Sequence, residues 1–91
     1  MEFEWDEQKS AINELKHGIP FDEARALWCD RFRLEFELEH AGEQRYGTIA
    51  QYAGSKWFAV WCRRGCAVRI ISVRRATEKE AGLYDRYNAK R

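Results

Sequence analysis

Residues 31–75 carry a two-residue hydrophobic alternation, broken at short intervals by turn signals, and this limits the fold more than any other feature. In "RFRLEFELEH", Phe32, Leu34, Phe36 and Leu38 alternate with Arg33, Glu35, Glu37 and Glu39. Successive side chains of a strand leave opposite faces, so this run is a half-buried strand with one wet face. "AGEQ" turns the chain into "RYGTIAQYA", and "GSK" turns it again into the aromatic-rich "WFAVWCR". "RG" is a tight-turn signal, and "CAVRIISVRR" is a fourth strand. Strands in series with such short connections read as an antiparallel meander.

Helical signals flank the meander. In "DEQKSAINELKHG", Asp6 is an N-cap and Glu7 suits the positive end. Gln8, Ile12 and Leu15 fall on one stripe, with Trp5 just before it. Lys16 and His17 sit at the negative end, and Gly18 can take the left-handed stop. "IPFDEARALWCD" reads as a short second helix, with Pro20 in the first turn and Phe21, Ala24, Leu27 and Trp28 as its apolar stripe. "TEKE" at Thr77–Glu80 matches the capping box of a last helix. Leu83, Tyr84 and Tyr87 give that helix an apolar and aromatic side, and Gly82 weakens it by ~1 kcal/mol relative to Ala. The expected class is α+β: two N-terminal helices, a four-stranded antiparallel sheet and a C-terminal helix. At 91 residues the chain is expected to be a single domain, 1–91.

An apolar content of 45% is ample for a core and excludes a disordered chain. No apolar stretch approaches the ~18 residues of a membrane span. "MEFEWDEQK" is acidic and is no signal peptide, so a cytoplasmic location is expected. Cys29, Cys62 and Cys66 read as reduced thiols. "CRRGC" lacks a second pair or a nearby His, so neither a metal nor a cofactor is expected. Cys62 and Cys66 can face each other across the hairpin, or can be two small half-buried residues.

The net charge of +1 hides a split. Residues 1–43 hold five Lys/Arg against twelve Asp/Glu, a net of −7; residues 44–91 hold eleven against three, a net of +8. Residues 62–76 contain five Arg and no acid. A basic half suits a polyanion, and an acidic half would repel it, so a nucleic acid would meet one face only.

Four stretches in order, "FEWDEQK", "KHGIPFDEA", "EQRY" and "RIISVRRATEKE", resemble the BrnT family over almost the whole chain. The early pattern W-D-x-x-K-x-x-x-N-x-x-K-H-G is met by Trp5, Asp6, Lys9, Asn13, Lys16, His17 and Gly18. The later R-I-I-S-A-R-x-A-T is met by Arg69, Ile70, Ile71, Ser72, Arg74, Ala76 and Thr77, with Val73 for the usual Ala. Ala81 stands where an Arg often follows Glu80 in the family. The resemblance implies a RelE-like fold and an RNA-cleaving toxin of a bacterial type II toxin–antitoxin pair. It also implies a cognate BrnA-type ribbon–helix–helix antitoxin, mRNA as substrate, and operator DNA bound only through the antitoxin, with no membrane partner.

Metal-free RNA cleavage by the neighbouring 2′-hydroxyl needs fixed cations where charge develops on the phosphate. Arg69 is the expected phosphate anchor and Arg74 the second choice. Regular alternation puts Arg69 and Arg75 on one strand face and Arg74 on the other. The structural alternative for Arg69 is an ion pair with Glu14 or Glu43. His17 is an acid/base candidate and Lys16 a cation beside it, though both also satisfy a helix end. Glu43 and Arg45 read as a base and a phosphate ligand, or as a cross-strand pair. His40 lies in a polar turn. Tyr84 is a candidate for orienting a nucleotide. Arg63, Arg64 and Arg75 are expected RNA contacts. The competing reading is a non-catalytic RNA- or protein-binding module of the same fold.

Overall fold

Asp6 ends a short extended segment and starts the first helix by accepting the Gln8 and Lys9 N–H groups at 2.8 and 3.2 Å. The structure, a computed structural model, describes residues 1–89. In chain order it contains β1 (Glu2–Glu4), α1 (Glu7–His17), α2 (Phe21–Ala24), a 3₁₀ segment (Arg25–Cys29), β2 (Leu34–His40), β3 (Glu43–Tyr52), β4 (Ser55–Arg64), β5 (Ala67–Arg75) and α3 (Glu78–Asn88). Gly18 closes α1 at φ 83°, and Thr77 and Glu80 form the capping box of α3.

The sheet has five strands in the order β1-β5-β4-β3-β2. The expected sheet of four antiparallel strands is corrected by β1, which pairs parallel to β5 through Glu2↔Ala67, Phe3↔Val68 and Glu4↔Arg69. Three residues are too short for a periodicity signal; β1 is held by the edge of β5 and by Phe3 packing on the core. The second helix is also corrected. It is one α-turn followed by a 3₁₀ segment, which lets Phe21, Ala24, Leu27 and Trp28 all reach the interior. The expected four-residue turn "AGEQ" and three-residue turn "GSK" shrink to Ala41–Gly42 and Ala53–Gly54, all with positive φ, as tight hairpin turns require.

The stripe expected on α1 is reversed. Ile12 and Leu15 are 50% and 88% exposed, while Ser10 and Asn13 are buried. α1 meets exposed backbone there rather than side chains. Asn13 donates to the carbonyls of Ile19 and Val73 at 2.9 and 2.8 Å and accepts from the Val73 N–H at 3.1 Å. Its amide therefore pairs with β5 as a neighbouring strand would, just beyond the point where β1 ends. Ser10 Oγ accepts the Phe21 N–H at 2.8 Å, fixing α1 to α2.

β5 carries one residue more than β4 pairs. Val60 lies opposite Ser72 and Trp61 opposite Ile70, so Ile71 is an extra residue between them. The bulge resets the alternation. Val68, Ile70 and Val73 all reach the back face, where they pack with Trp57, Ala59, Trp61, Ile19, Phe21, Leu27 and Trp28. On the front face Ile49 and Phe58 pack against Tyr84 of α3. Asp30 locks this end by accepting the Tyr84 hydroxyl at 2.7 Å, the Gln51 N–H at 2.8 Å and the Phe32 N–H at 2.9 Å.

Asn13→Leu should destabilise the fold by about 2–4 kcal/mol in urea unfolding, because the Val73 amide and carbonyl lose their partner. Ile12→Ala should stay within about 0.5 kcal/mol, as for an ordinary surface change. Equal losses in the two variants would refute this account of the α1 contact.

Candidate functional site

The front face collects arginines in register. Arg69 lies opposite Cys62, and Arg45 lies opposite Leu38. Tyr46 lies opposite Trp61, so one further step places Arg45 beside Cys62. The resulting row is Arg69, Cys62, Arg45, Leu38, running from β5 to β2. With strands ~4.8 Å apart, the backbones of Arg69 and Arg45 are about 10 Å apart. Cys62, buried between them, floors the gap.

Arg69, Arg45 and Arg74 are each aimed by a carboxylate. Arg69 Nη1 donates to Glu4 Oε1 at 3.3 Å. The ion-pair alternative for Arg69 is thus met, by Glu4 of β1 and not by Glu14 or Glu43. Arg45 Nε donates to Glu43 Oε1 at 2.7 Å. That hydrogen bond, then the charge of Arg45 and more weakly those of Arg64 and His40, hold the Glu43 carboxyl below its ordinary range. Arg74 holds Glu80 bidentately, with Nη1 to Oε1 at 2.8 Å and Nη2 to Oε2 at 2.9 Å. Its guanidinium carbon also lies 4.5 Å from the Phe58 ring centroid. The pair drives the Glu80 carboxyl down and the Arg74 guanidinium up. Glu80 Oε1 also accepts the Thr77 N–H at 2.9 Å, so the cap of α3 and the aim of Arg74 share one side chain.

The bulge corrects the expected division of the arginines. Arg69 and Arg74 share the front face, and Arg64 joins them by alternation from Cys62. Arg75 and Arg63 lie on the back, 5.1 Å over the Trp57 ring and 5.5 Å over the Trp61 ring. Lys16 and His17 stand apart from Glu43 and Arg45. They are exposed at the end of α1 and line a groove of about 200 Å³ with Lys9, Ile12, Asn13, Ile71 and Ser72. Tyr84 is 7% exposed and gives its hydroxyl to Asp30, so it braces α3. His40 lies opposite Glu43. Cys62 and Cys66 do not face each other, because Cys62 lies opposite Arg69 while Cys66 is exposed in the turn.

Sequence reasoning missed Glu4, the flooring role of Cys62 and the clamp of Glu80 on Arg74. "EFE" does alternate, but over too few residues to announce a strand. Glu80 was legible only as a helix cap. Among the described residues no three His, Cys, Asp or Glu side chains gather closely enough to ligate a metal ion. No helix among them is long and apolar enough to cross a membrane.

Guanidiniums spaced along one row of a sheet, each held by a carboxylate, are groups able to hold phosphates. The sequence model of the ribonuclease toxin BrnT of type II toxin–antitoxin systems matches residues 5–80. The chain belongs to this BrnT family of ribonuclease toxins. A comparison with curated proteins finds no match.

The Glu80 pair sets a pH dependence. Its folded pKa lies below the ordinary 4.5, so the stabilisation is complete above that value and is lost as pH falls through the folded pKa. In unfolding measured from pH 7 to pH 3, Glu80→Gln should therefore be less stable than wild type at neutral pH and converge with it at the acid end. Asp30 contributes to acid loss in both proteins. Burial raises its pKa, but the hydrogen bonds from Gln51, Tyr84 and Phe32, with the Arg33 charge, bring it below 3.8. A gap between wild type and Glu80→Gln that stayed constant to pH 3 would contradict the assignment.

Proposed function

We propose that the front face of the sheet cleaves RNA, with the scissile phosphate seated between Arg69 and Arg45. The observation that carries this reading is the row Arg69–Cys62–Arg45, which sets two arginines, each paired with a carboxylate, on either side of the buried Cys62. The 2′-hydroxyl gives its proton to water as its oxygen attacks the adjacent phosphorus, the bond to the 5′-oxygen breaks and that oxygen takes a proton from water, and a cyclic phosphate and a 5′-hydroxyl result. Negative charge grows on the non-bridging oxygens as the new bond forms. Guanidiniums already fixed by Glu4 and Glu43 meet that charge without reorganising. Arg74 and Arg64 extend the positive field along the same face.

Glu43 serves as the aiming carboxylate of Arg45 rather than as a base, because a carboxyl held below its ordinary range takes a proton poorly. Tyr84 acts by holding α3 and, through it, the Glu80–Arg74 clamp. On this reading the fixed cations supply the charge stabilisation, and no metal ion takes part. The partner is a BrnA-type antitoxin in the cytoplasm, a reading supported by membership of the type II family, and the complex reaches operator DNA through that antitoxin. mRNA is the cellular substrate.

Arg69→Ala and Arg45→Ala should each lower single-turnover cleavage of a labelled single-stranded RNA by about 10²–10³-fold, the cost of losing one fixed donor to the developing charge. Arg63→Ala and Arg75→Ala, on the back face, should change it by no more than a few-fold. Cleavage that survives at Arg69 and Arg45 and fails at Arg63 or Arg75 would place the chemistry on the other side of the sheet.

A further inference from the structure

The edge of β5 changes hands at the bulge. β1 pairs only as far as Glu4↔Arg69. Beyond it, α1 covers the edge through Asn13 and Val73. The groove left between them is lined by Lys9, Ile12, Asn13, Lys16, His17, Ile71 and Ser72 and measures about 200 Å³. Lys16 and His17 lie seven and eight residues beyond Lys9, about two helical turns, so all three project from one side of the helix. All three are exposed. Among the described residues neither lysine is held by a carboxylate, in contrast to Arg69, Arg45 and Arg74.

Ser72 links the groove to the front face by register. Ser72 lies opposite Val60, whose side chain belongs to the front cluster. It is three residues along β5 from Arg69, about 10 Å at ~3.3 Å per residue. A strand of RNA held at Arg69 and Arg45 reaches this groove by turning along β5 over that distance. Unpaired ammonium groups suit a backbone phosphate there, because they hold charge without demanding a fixed geometry.

We propose that the groove between α1 and the bulged edge of β5 binds a phosphate flanking the cleaved one, on Lys9, Lys16, the His17 ring N–H and the Ser72 hydroxyl. This rests on the front-face reading and extends it to the path of the RNA. Lys16 and His17 are then binding residues and stand outside the chemistry.

The test is the salt dependence of affinity for a 2′-O-methyl RNA oligonucleotide, which cannot be cleaved, read by fluorescence anisotropy. The proteins are wild type, Lys9→Ala/Lys16→Ala, Lys9→Arg/Lys16→Arg and Arg69→Ala. The double alanine variant should bind about 10-fold more weakly, with a slope of log K on log salt shallower by about 0.7, the share of one single-strand phosphate. The double arginine variant should restore both. An alanine variant that binds like wild type, while Arg69→Ala is weakened, overturns the groove and leaves the front face standing. A loss of affinity with an unchanged salt slope overturns it as well. RNA bound by neither wild type nor variants removes the front-face reading, and the groove with it.

Discussion

A strand that alternated regularly from Val68 to Arg75 could not bury Val68, Ile70 and Val73 on one side and also send Arg69 and Arg74 to the other. The extra residue at Ile71 removes that conflict. It keeps three apolar side chains in the back core and brings two arginines onto the front face. A bulge locally disrupts the ladder, and here it falls on a strand whose outer neighbour, β1, has already ended. Asn13 takes the place of β1 on that outer edge by pairing with both backbone groups of Val73. A helix carrying Lys9, Lys16 and His17 is thereby placed beside the same strand. The core, the arginine row and the cationic groove all depend on this one irregular segment.

The front face is electrostatically mixed rather than uniformly basic. Arg69, Arg45 and Arg74 each face a carboxylate, from Glu4, Glu43 and Glu80. The partly exposed pairs of Glu4 and Glu43 add little to stability. On the proposed reading their effect is geometric: each fixes the direction of a guanidinium before a phosphate arrives. The charge split along the chain takes on a new meaning in the fold. Glu4 and Glu43 come from the acidic half and Arg69 and Arg45 from the basic half. The acidic residues do not repel the ligand from a separate face but orient the groups that would hold it.

Much of this was legible in the sequence because it was written in local rules. Asp6, Gly18 and the Thr77–Glu80 box fixed their helix ends as read. The alternation of Phe32 to Leu38 located the β2 strand and its neighbours. What failed was governed by contacts distant in the chain. β1 exists because an edge of β5, more than sixty residues away, was available to it. α1 buries Ser10 and Asn13 instead of Ile12 and Leu15 because it meets backbone, and periodicity weighs only side-chain polarity. The arginine division was misread because a bulge has no signature in alternation; it shows only when the partner strand is in place. For the same reason Arg69 and Arg74 were recognisable as candidates, while their sharing a face was not.

The central claim is that RNA meets the face on which the bulge gathers the arginines. Side-chain Nε–Hε signals of the arginines in ¹⁵N spectra, followed during titration with an uncleavable 2′-O-methyl RNA, report it residue by residue. Shifts at Arg45, Arg69 and Arg74, with Arg63 and Arg75 unmoved, are the expected result. Shifts confined to Arg63 and Arg75, over Trp61 and Trp57 on the opposite side, would contradict it.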